Sequence, residues 1–222
     1  MCKTLAPFAV KTYDMENEIK KHYSYQEVTI WLEKKGIELY GGHFKILESD
    51  YGIVYKLIAY FLKDEPACYQ YGLNPNKGIL LSGPIGCGKT SLMNIMKYLA
   101  PAENKFFLKP CRDISFEFIQ DGYSTIHKYS IGKLYESSPK IICFDDLGTE
   151  NNLKYFGNEC NVMAEILLSR YDVFVSKKIP THLTTNLSAS EIEQQYGNRV
   201  RSRLRELCNL IAFDNAASDK RK

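Results

Sequence analysis

The sequence of 222 residues lacks several features that would assign it to a special class of protein. No apolar run approaches the roughly 20 residues that a membrane-spanning helix needs, and the N-terminus shows neither the apolar stretch nor the cleavage site of a signal peptide. The seven cysteines include no C-x-x-C pair and no metal-like spacing, which favours free thiols in a reducing cytoplasm. A net charge of +3 permits a nucleic-acid partner without arguing for one. With 45% hydrophobic and 25% charged residues, the chain is expected to be a folded cytoplasmic protein away from membranes.

The most specific motif of the chain is G-x-x-x-x-G-K-T at residues 83–90. Backbone N–H groups of such a loop cradle the phosphates of a nucleotide, and its glycines let the backbone approach them. Lys89 would contact the phosphates, and the hydroxyl of Thr90 would complete the shell of a Mg²⁺ ion. We therefore predict a nucleotide site at Gly83, Pro84, Ile85, Gly86, Cys87, Gly88, Lys89, Thr90 and Ser91.

The sequence on either side of the loop fits this interpretation. Before it, residues 78–82 form an apolar run typical of a buried parallel strand. After it, apolar residues recur with helical spacing until Pro101 ends the pattern. Strand, loop and helix is the order that the mechanism needs, because the helix N-terminus adds its dipole to the anion site.

Two acids follow a later strand candidate, which comes after the second candidate at residues 105–108. Residues 141–144 are apolar, and Asp145 and Asp146 come directly after them. In nucleotide sites the first acid holds Mg²⁺, usually through water, and a second acid orients or deprotonates the attacking water. An Asp-Asp pair alone is common in turns, but its place at the end of a buried strand favours the functional interpretation.

A further strand candidate, residues 181–186, ends in Asn186. If this strand neighbours the strands before the loop and before the two acids, the amide of Asn186 would lie near the terminal phosphate and could position water. The alternative is that Asn186 caps the next helix. Ser188 and Glu191 already fit the S-x-x-E capping box, however, which leaves Asn186 available for another role.

Four arginines lie close together in the last helical stretch, within residues 196–205, and Arg199 and Arg203 share one face. So many positive charges repel each other unless anions meet them. One interpretation is an arginine finger that reaches the nucleotide of a neighbouring subunit and stabilises transition-state charge. The alternative is a solvated basic face.

The segments outside these motifs carry weaker signals. Helical pieces are expected near residues 14–22 and 25–35, with Gly36 as a stop. Residues 111–137 predict two helical pieces broken near Gly122. The second piece interleaves aromatic and basic residues, which are Tyr123, His127, Lys128, Tyr129 and Lys133. This mixture suits contact with single-stranded nucleic acid, but a half-buried helix surface is the favoured interpretation.

Four motifs occur in a fixed order along the chain. They are G-x4-G-K-T at residues 83–90, F-D-D-L-G at 144–148, T-N at 185–186 and Y-G-x-R-V-x-S-R-L at 196–204. This order resembles the DnaC/IstB branch of AAA+ ATPases, which are helicase loaders and transposition ATPases related to DnaA. The resemblance covers about residues 50–213.

The resemblance implies a role for each motif residue. Lys89 and Thr90 would bind ATP–Mg²⁺, Asp145 would be the metal-shell acid, Asp146 the water-activating acid, Asn186 the sensor, and Arg203 the finger, with Arg199 as second choice. Many AAA+ proteins carry Glu where Asp146 stands, so we expect a slow or partner-stimulated ATPase.

The expected fold class is α/β, a P-loop NTPase of the AAA+ type with three α/β/α layers and a mainly parallel five-stranded sheet. We expect a small helical N-terminal segment at residues 1–48 that binds a partner. An ATPase domain at residues 49–214 and a flexible tail at residues 215–222 complete the expected organisation. The chain ends soon after Phe213, so a C-terminal helical lid is not expected.

Three functions follow from these expectations. The leading hypothesis is an oligomeric ATPase, assembled through its ATP site, that acts on DNA, single-stranded DNA included, and loads or remodels a replicative helicase. The second is an ATP-dependent DNA-binding switch that recruits a transposase. The third is a small-molecule kinase, against which the late position of the arginines argues because kinases need an arginine-rich lid over the substrate.

Overall fold

The computed structural model describes residues 24–132, 139–150, 153–155, 158–214 and 216–220. The helices are α1 (Tyr25–Tyr40), α2 (Tyr51–Phe61), α3 (Glu65–Gln70), α4 (Lys89–Met96), α5 (Cys111–Asp121), α6 (Tyr123–Ser130), α7 (Val162–Lys177) and α8 (Ala189–Leu207). The strands are β1 (Gly78–Ser82), β2 (Phe106–Pro110), β3 (Ile141–Leu147), β4 (Leu153–Tyr155), β5 (Asn158–Cys160), β6 (Thr181–Thr185) and β7 (Cys208–Ala212). The expected helix near residues 14–22 lies outside the described residues.

Five strands form one sheet in the order β2-β3-β6-β1-β7, and every neighbouring pair is parallel. This confirms the expected five-stranded parallel sheet. In this order β6 lies between β3 and β1, so the carboxyl ends of these three strands are adjacent. Residues that follow parallel strands meet at such an edge, which is where ligands bind in open α/β sheets.

Helices cover both faces of the sheet. Neighbouring residues along a strand point to opposite faces, so consecutive residues of β1 belong to different cores. Ile79 and Leu81 of β1 belong to a core that includes residues of α1, α2, α3 and α4. Leu80, between them, belongs to a second core that includes residues of α5, α6, α7 and α8. The two cores confirm the expected α/β/α layering.

Helix α1 differs from the expectation that Gly36 would stop it. The helix continues to Tyr40, and Gly41 follows as its C-cap. A Cβ atom at Gly36 would lie 2.0 Å from the ring of Phe44. The glycine is therefore explained by close packing inside the helix, and the prediction of a stop was wrong.

The described part of the N-terminal segment packs with the rest of the chain. Val28 and Leu32 of α1 are buried in the same core as Leu57 and Met93. Residues 24–40 therefore share a core with residues beyond the expected boundary at residue 48.

The short antiparallel pair β4–β5 between β3 and α7 had no counterpart in the sequence-based expectations. The break between the helical pieces at Gly122 was expected, and Gly122 separates α5 from α6. Within the part of the chain that the structure describes, no helix has both the length and the apolar character needed to cross a membrane.

Candidate nucleotide site

The loop after β1 places Lys89 at the centre of the site. Gly88 adopts a left-handed backbone conformation (φ 93°) and is the N-cap of α4, whose first residue is Lys89. The ammonium of Lys89 is buried and donates hydrogen bonds of 2.8 Å to the carbonyl oxygens of both Gly83 and Pro84. It donates a third, of 2.5 Å, to Oδ1 of Asn186. The end of β6 and the loop after β1 are thus joined directly.

Asp145 joins a third strand end to this cluster. The hydroxyl of Thr90 lies 3.0 Å from both carboxylate oxygens of Asp145 and donates to them. Thr184 of β6 donates a 2.6 Å hydrogen bond to Oδ1 of the same carboxylate. The ends of β1, β3 and β6 therefore converge on one small polar cluster.

The backbone of β3 departs from regular strand geometry at Asp146. Its φ is 54°, which is uncommon for a residue with a side chain. The pairing of β3 with β6 shifts register between Phe144 and Leu147. The Asp146 N–H donates a 2.8 Å hydrogen bond to the hydroxyl of Thr184. Strained positions of this kind cluster at functional sites.

Burial raises the pKa of Asp145 above its ordinary value. The hydrogen bonds from Thr184 and Thr90 and the charge of Lys89 oppose this rise, while the charge of Asp146 adds to it. A carboxylate and a hydroxyl that face each other across 3.0 Å are hard oxygen donors, the type that Mg²⁺ prefers. The residues present therefore fit a magnesium ion that is bound together with a phosphate.

A second buried acid lies just beyond β3. Glu150 accepts hydrogen bonds from the N–H of Gly148, at 3.0 Å, and from the hydroxyl of Tyr196 on α8. Burial and the negative charge of Glu150 raise the pKa of Tyr196, so the phenol stays protonated and donates. This pair connects the end of β3 to the helix that carries the arginines.

Helix α8 begins with the expected capping box at Ser188 and Glu191 and kinks at Gly197. Arg203 donates to the hydroxyl of Tyr171 at 3.1 Å, and its guanidinium lies 4.2 Å from the centre of that ring. Arg203 also pairs with Glu206 at 3.3 Å. Within the described residues, Arg199 is exposed and has no hydrogen-bond or ion-pair partner.

The structure thus brings together Lys89, Thr90, Asp145 and Asn186, which the sequence singled out, and leaves Arg199 and Arg203 on helix α8. Sequence reasoning missed Thr184 and Glu150. Thr184 is one of several buried polar residues in β6, and the unusual polarity of this buried strand was the available signal. The acid four residues after Asp146 gave no signal of its own.

The interleaved aromatic and basic residues of α6 are largely accounted for by packing. Tyr129 is buried, and its hydroxyl donates to Glu117. Lys128 and Lys109 both form ion pairs with the same glutamate. His127 is exposed, and Lys133 lies outside the described residues.

A glycine-rich loop between a strand and a helix, at the carboxyl edge of a parallel sheet, defines the class of P-loop nucleotide-binding proteins. Within that class the family is also shown. The profile of the ATPase family associated with various cellular activities (AAA) matches residues 79–210, more than half of the chain. The chain belongs to this family of ATPases.

Solved structures agree on the fold. The crystal structure of the DnaC helicase loader superposes with a TM-score of 0.53 at 17% identity, covering 76% of this chain and 92% of that one. Curated relatives match over a shorter stretch. The Cell division control protein 48 homolog B of Arabidopsis thaliana is 32% identical over 85 residues, 38% of this chain and 14% of its own length. The proteasome-activating nucleotidase of Thermococcus kodakarensis is 34% identical over 88 residues, 39% of this chain and 21% of its own length. The chain therefore matches only a minor part of these two relatives.

Proposed function

We propose that this protein binds ATP with Mg²⁺ at residues 83–91 and hydrolyses it. The observation that carries the proposal is the cluster in which Lys89 contacts Asn186 while Thr90 contacts Asp145. These are the groups that phosphate and magnesium would need, and three separate segments of the chain supply them. Membership of an ATPase family supports the same conclusion.

Each residue of the cluster has a chemical task in this proposal. Lys89 exchanges its carbonyl partners for phosphate oxygens, and Thr90 and Asp145 hold the magnesium ion. Asp146 orients or deprotonates the attacking water, and Asn186 positions that water near the terminal phosphate. A magnesium ion held by these residues would neutralise charge that develops on the phosphates.

We further propose that ATP is used for work on DNA by an assembly of this protein, as in a helicase loader. The shared fold with the DnaC helicase loader supports this class of activity. The arginines of α8 would complete the site of a neighbouring copy, with Arg203 as the finger. Its ion pair with Glu206 involves side chains that are 37% and 54% exposed, so a phosphate can replace Glu206 at little cost.

A transposase-recruiting switch is the competing proposal within the same family. It uses the same ATP site but needs hydrolysis only to reset the protein. Turnover that rises with a replicative helicase favours the loader, and turnover that rises with a transposase favours the switch. A small-molecule kinase is disfavoured by the match to the AAA family.

The test is ATP hydrolysis by the purified full chain with and without single-stranded DNA. We expect magnesium-dependent turnover that DNA stimulates. The variant Lys89→Ala should lose nucleotide affinity by about 100-fold, because charge-assisted hydrogen bonds contribute roughly 1.5–3 kcal/mol and each 1.4 kcal/mol is tenfold.

A matched control is Lys177→Ala, which removes an exposed lysine from the end of α7. It should leave affinity and turnover unchanged. Undiminished nucleotide binding by Lys89→Ala would refute the proposed site. Turnover that DNA does not change would refute the proposed action on DNA while leaving the ATPase in place.

A further inference from the structure

The chain after β7 folds back onto the phosphate loop. The Phe213 N–H donates a 2.8 Å hydrogen bond to the carbonyl oxygen of Ser82, which brings the end of β7 beside the start of the loop. The Ala217 N–H then donates to the carbonyl oxygen of Asp214 at 3.0 Å and turns the chain. We call residues 216–220 the C-terminal strap. The sequence predicted a flexible tail here, whereas the described part of it is packed against the site.

The strap contacts the loop at two of its glycines. The Lys220 N–H donates a 3.0 Å hydrogen bond to the carbonyl oxygen of Gly86. A Cβ atom at Gly86 would lie 2.1 Å from a carboxylate oxygen of Asp219, and one at Gly88 would lie 3.6 Å from Cδ of Lys220. Both glycines have left-handed backbones, with φ of 83° and 93°. Gly86 therefore makes room for the strap as well as for the bend of the loop, whereas Gly88 lies beside Lys220 without crowding it.

The charge of Lys220 is held in place by a buried partner. Its ammonium pairs with the carboxylate of Asp50, a buried residue directly before α2. It also lies 5.3 Å from the centre of the Phe213 ring. The pKa of the Cys87 thiol is raised by burial, and the positive charges of Lys89 and Lys220 both oppose that rise. The two ammonium groups thus act on the same loop.

A phosphate loop holds the phosphates of a nucleotide through its backbone N–H groups and one lysine, so a second cation beside the loop would strengthen that hold. The strap already contacts residues 86 and 88, whose N–H groups would face the phosphates, and it carries a cation with restricted freedom. We propose that the C-terminal strap is part of the nucleotide site, and that Lys220, positioned by Asp50, binds the phosphates of a nucleoside di- or triphosphate. This inference rests on the proposed ATP site.

The negative charge of Asp219 leads to the opposite hypothesis, in which the strap blocks the nucleotide site. A carboxylate against Gly86 repels a phosphate, so a strap that only blocked the loop would weaken nucleotide binding. Removal of the strap distinguishes the two. A chain truncated after Asn215 should bind a fluorescent ADP analogue more weakly than the full chain if the strap is part of the site. Equal or tighter binding by the truncated chain would overturn our inference.

Point variants identify the residue responsible. Lys220→Ala should weaken ADP binding by about tenfold, the value of one charge-assisted hydrogen bond of roughly 1.5 kcal/mol, and Lys220→Arg should restore most of it. Asp50→Asn should weaken binding as well. The double variant should be no weaker than Lys220→Ala, because Asp50 acts through Lys220. Additive losses would show that Asp50 does not position Lys220.

Hydrogen exchange supplies a readout that does not depend on affinity. If ADP is held under the strap, exchange of the Lys220 amide, which donates to Gly86, should slow when ADP is added. Faster exchange would mean that ADP displaces the strap, and the inference would be wrong. A wild-type chain that binds no ADP at all would refute the proposed ATP site. If ADP binding depends on Lys89 but not on Lys220, only the proposed role of the strap would be refuted.

Discussion

The interior of the candidate site differs in its organisation from the arginine face of α8, by which we mean Arg199 and Arg203. In the interior, Lys89, Asp145 and Asn186 are engaged by partners from other strand ends of the same chain. On α8, Arg203 is held by the half-buried Tyr171 and the exposed Glu206, and Arg199 is exposed. The interior is thus ordered, whereas the arginine face presents positive charge at the surface. This difference is what the proposed action of the arginines on the site of a second copy requires.

The largest expected effect tests the proposed division of the site between two copies. Arg203→Ala should lower turnover of the assembled protein by about 1000-fold, the lower range for a lost arginine finger, while ATP binding by the isolated chain stays unchanged. The measurement is hydrolysis as a function of protein concentration. The control is Arg205→Ala, an exposed arginine of the same helix, which should retain turnover.

Mixing variants separates action between copies from action within one. Lys89→Ala keeps its arginines, and Arg203→Ala keeps its phosphate loop, so a mixture of these two inactive proteins should recover part of the activity. Recovery would be absent if Arg203 served its own site. A loss of turnover in Arg199→Ala but not in Arg203→Ala would move the finger to Arg199.

The second effect tests the interior. Asn186→Ala should lower turnover by about 100-fold, since a single positioned polar group at the reacting centre contributes on that order. The affinity for ATP should fall much less, because Lys89 keeps its phosphate contacts. Separate determinations of kcat and of nucleotide affinity test this prediction. An equal fall in both would mean that Asn186 acts only by holding Lys89.

The interior cluster could be predicted from sequence because each of its members follows a strand or lies in a local motif. Lys89 lies in the loop motif that follows a strand, while Asp145 and Asn186 come directly after strand candidates, and parallel strands bring such positions to one edge. The order of the strands was the missing fact, and the structure supplies it by placing β6 between β1 and β3.

Other parts of the site depend on contacts that no local pattern announces. Glu150 and Tyr196 meet across 46 positions of sequence. Gly36 looks like a helix stop until the ring of Phe44 is seen packed against it. The strap looks like a frayed end because its composition is polar, and its contacts with residues 86 and 88 exist only in three dimensions. Tertiary packing overrode the local signal in the last two cases.

The third prediction concerns Asp145, whose substitution should increase the stability of the protein while it abolishes hydrolysis. Asp145→Asn should stabilise the nucleotide-free protein at neutral pH by about 1 kcal/mol, the usual size of a single-site effect, because burial disfavours the ionised carboxylate. The amide can still accept from Thr184. Hydrolysis should be lost. Urea unfolding of wild type and variant at several pH values provides the measurement.

The pH dependence of that difference follows from the raised pKa of Asp145. The wild type is most stable relative to the variant when the carboxyl is protonated in both the folded and unfolded states, below the unfolded value of about 3.9. It loses that stability as pH rises through the higher folded pKa. The gain from the substitution should therefore grow with pH. A gain that shrinks with rising pH would contradict a raised pKa.

The smallest effect concerns the pair that holds Arg203. Tyr171→Phe removes the hydroxyl that donates to Glu206 at 2.6 Å and accepts from Arg203, but it keeps the ring under the guanidinium. Exposed ion pairs and hydrogen bonds contribute little, so turnover of the assembly should change by less than about fivefold. The measurement is ATP hydrolysis as a function of protein concentration, for this variant and for Arg203→Ala. If Tyr171→Phe were as inactive as Arg203→Ala, the tyrosine would be needed to orient the finger. The arginine face would then be as ordered as the interior, and the contrast between the two regions would fail.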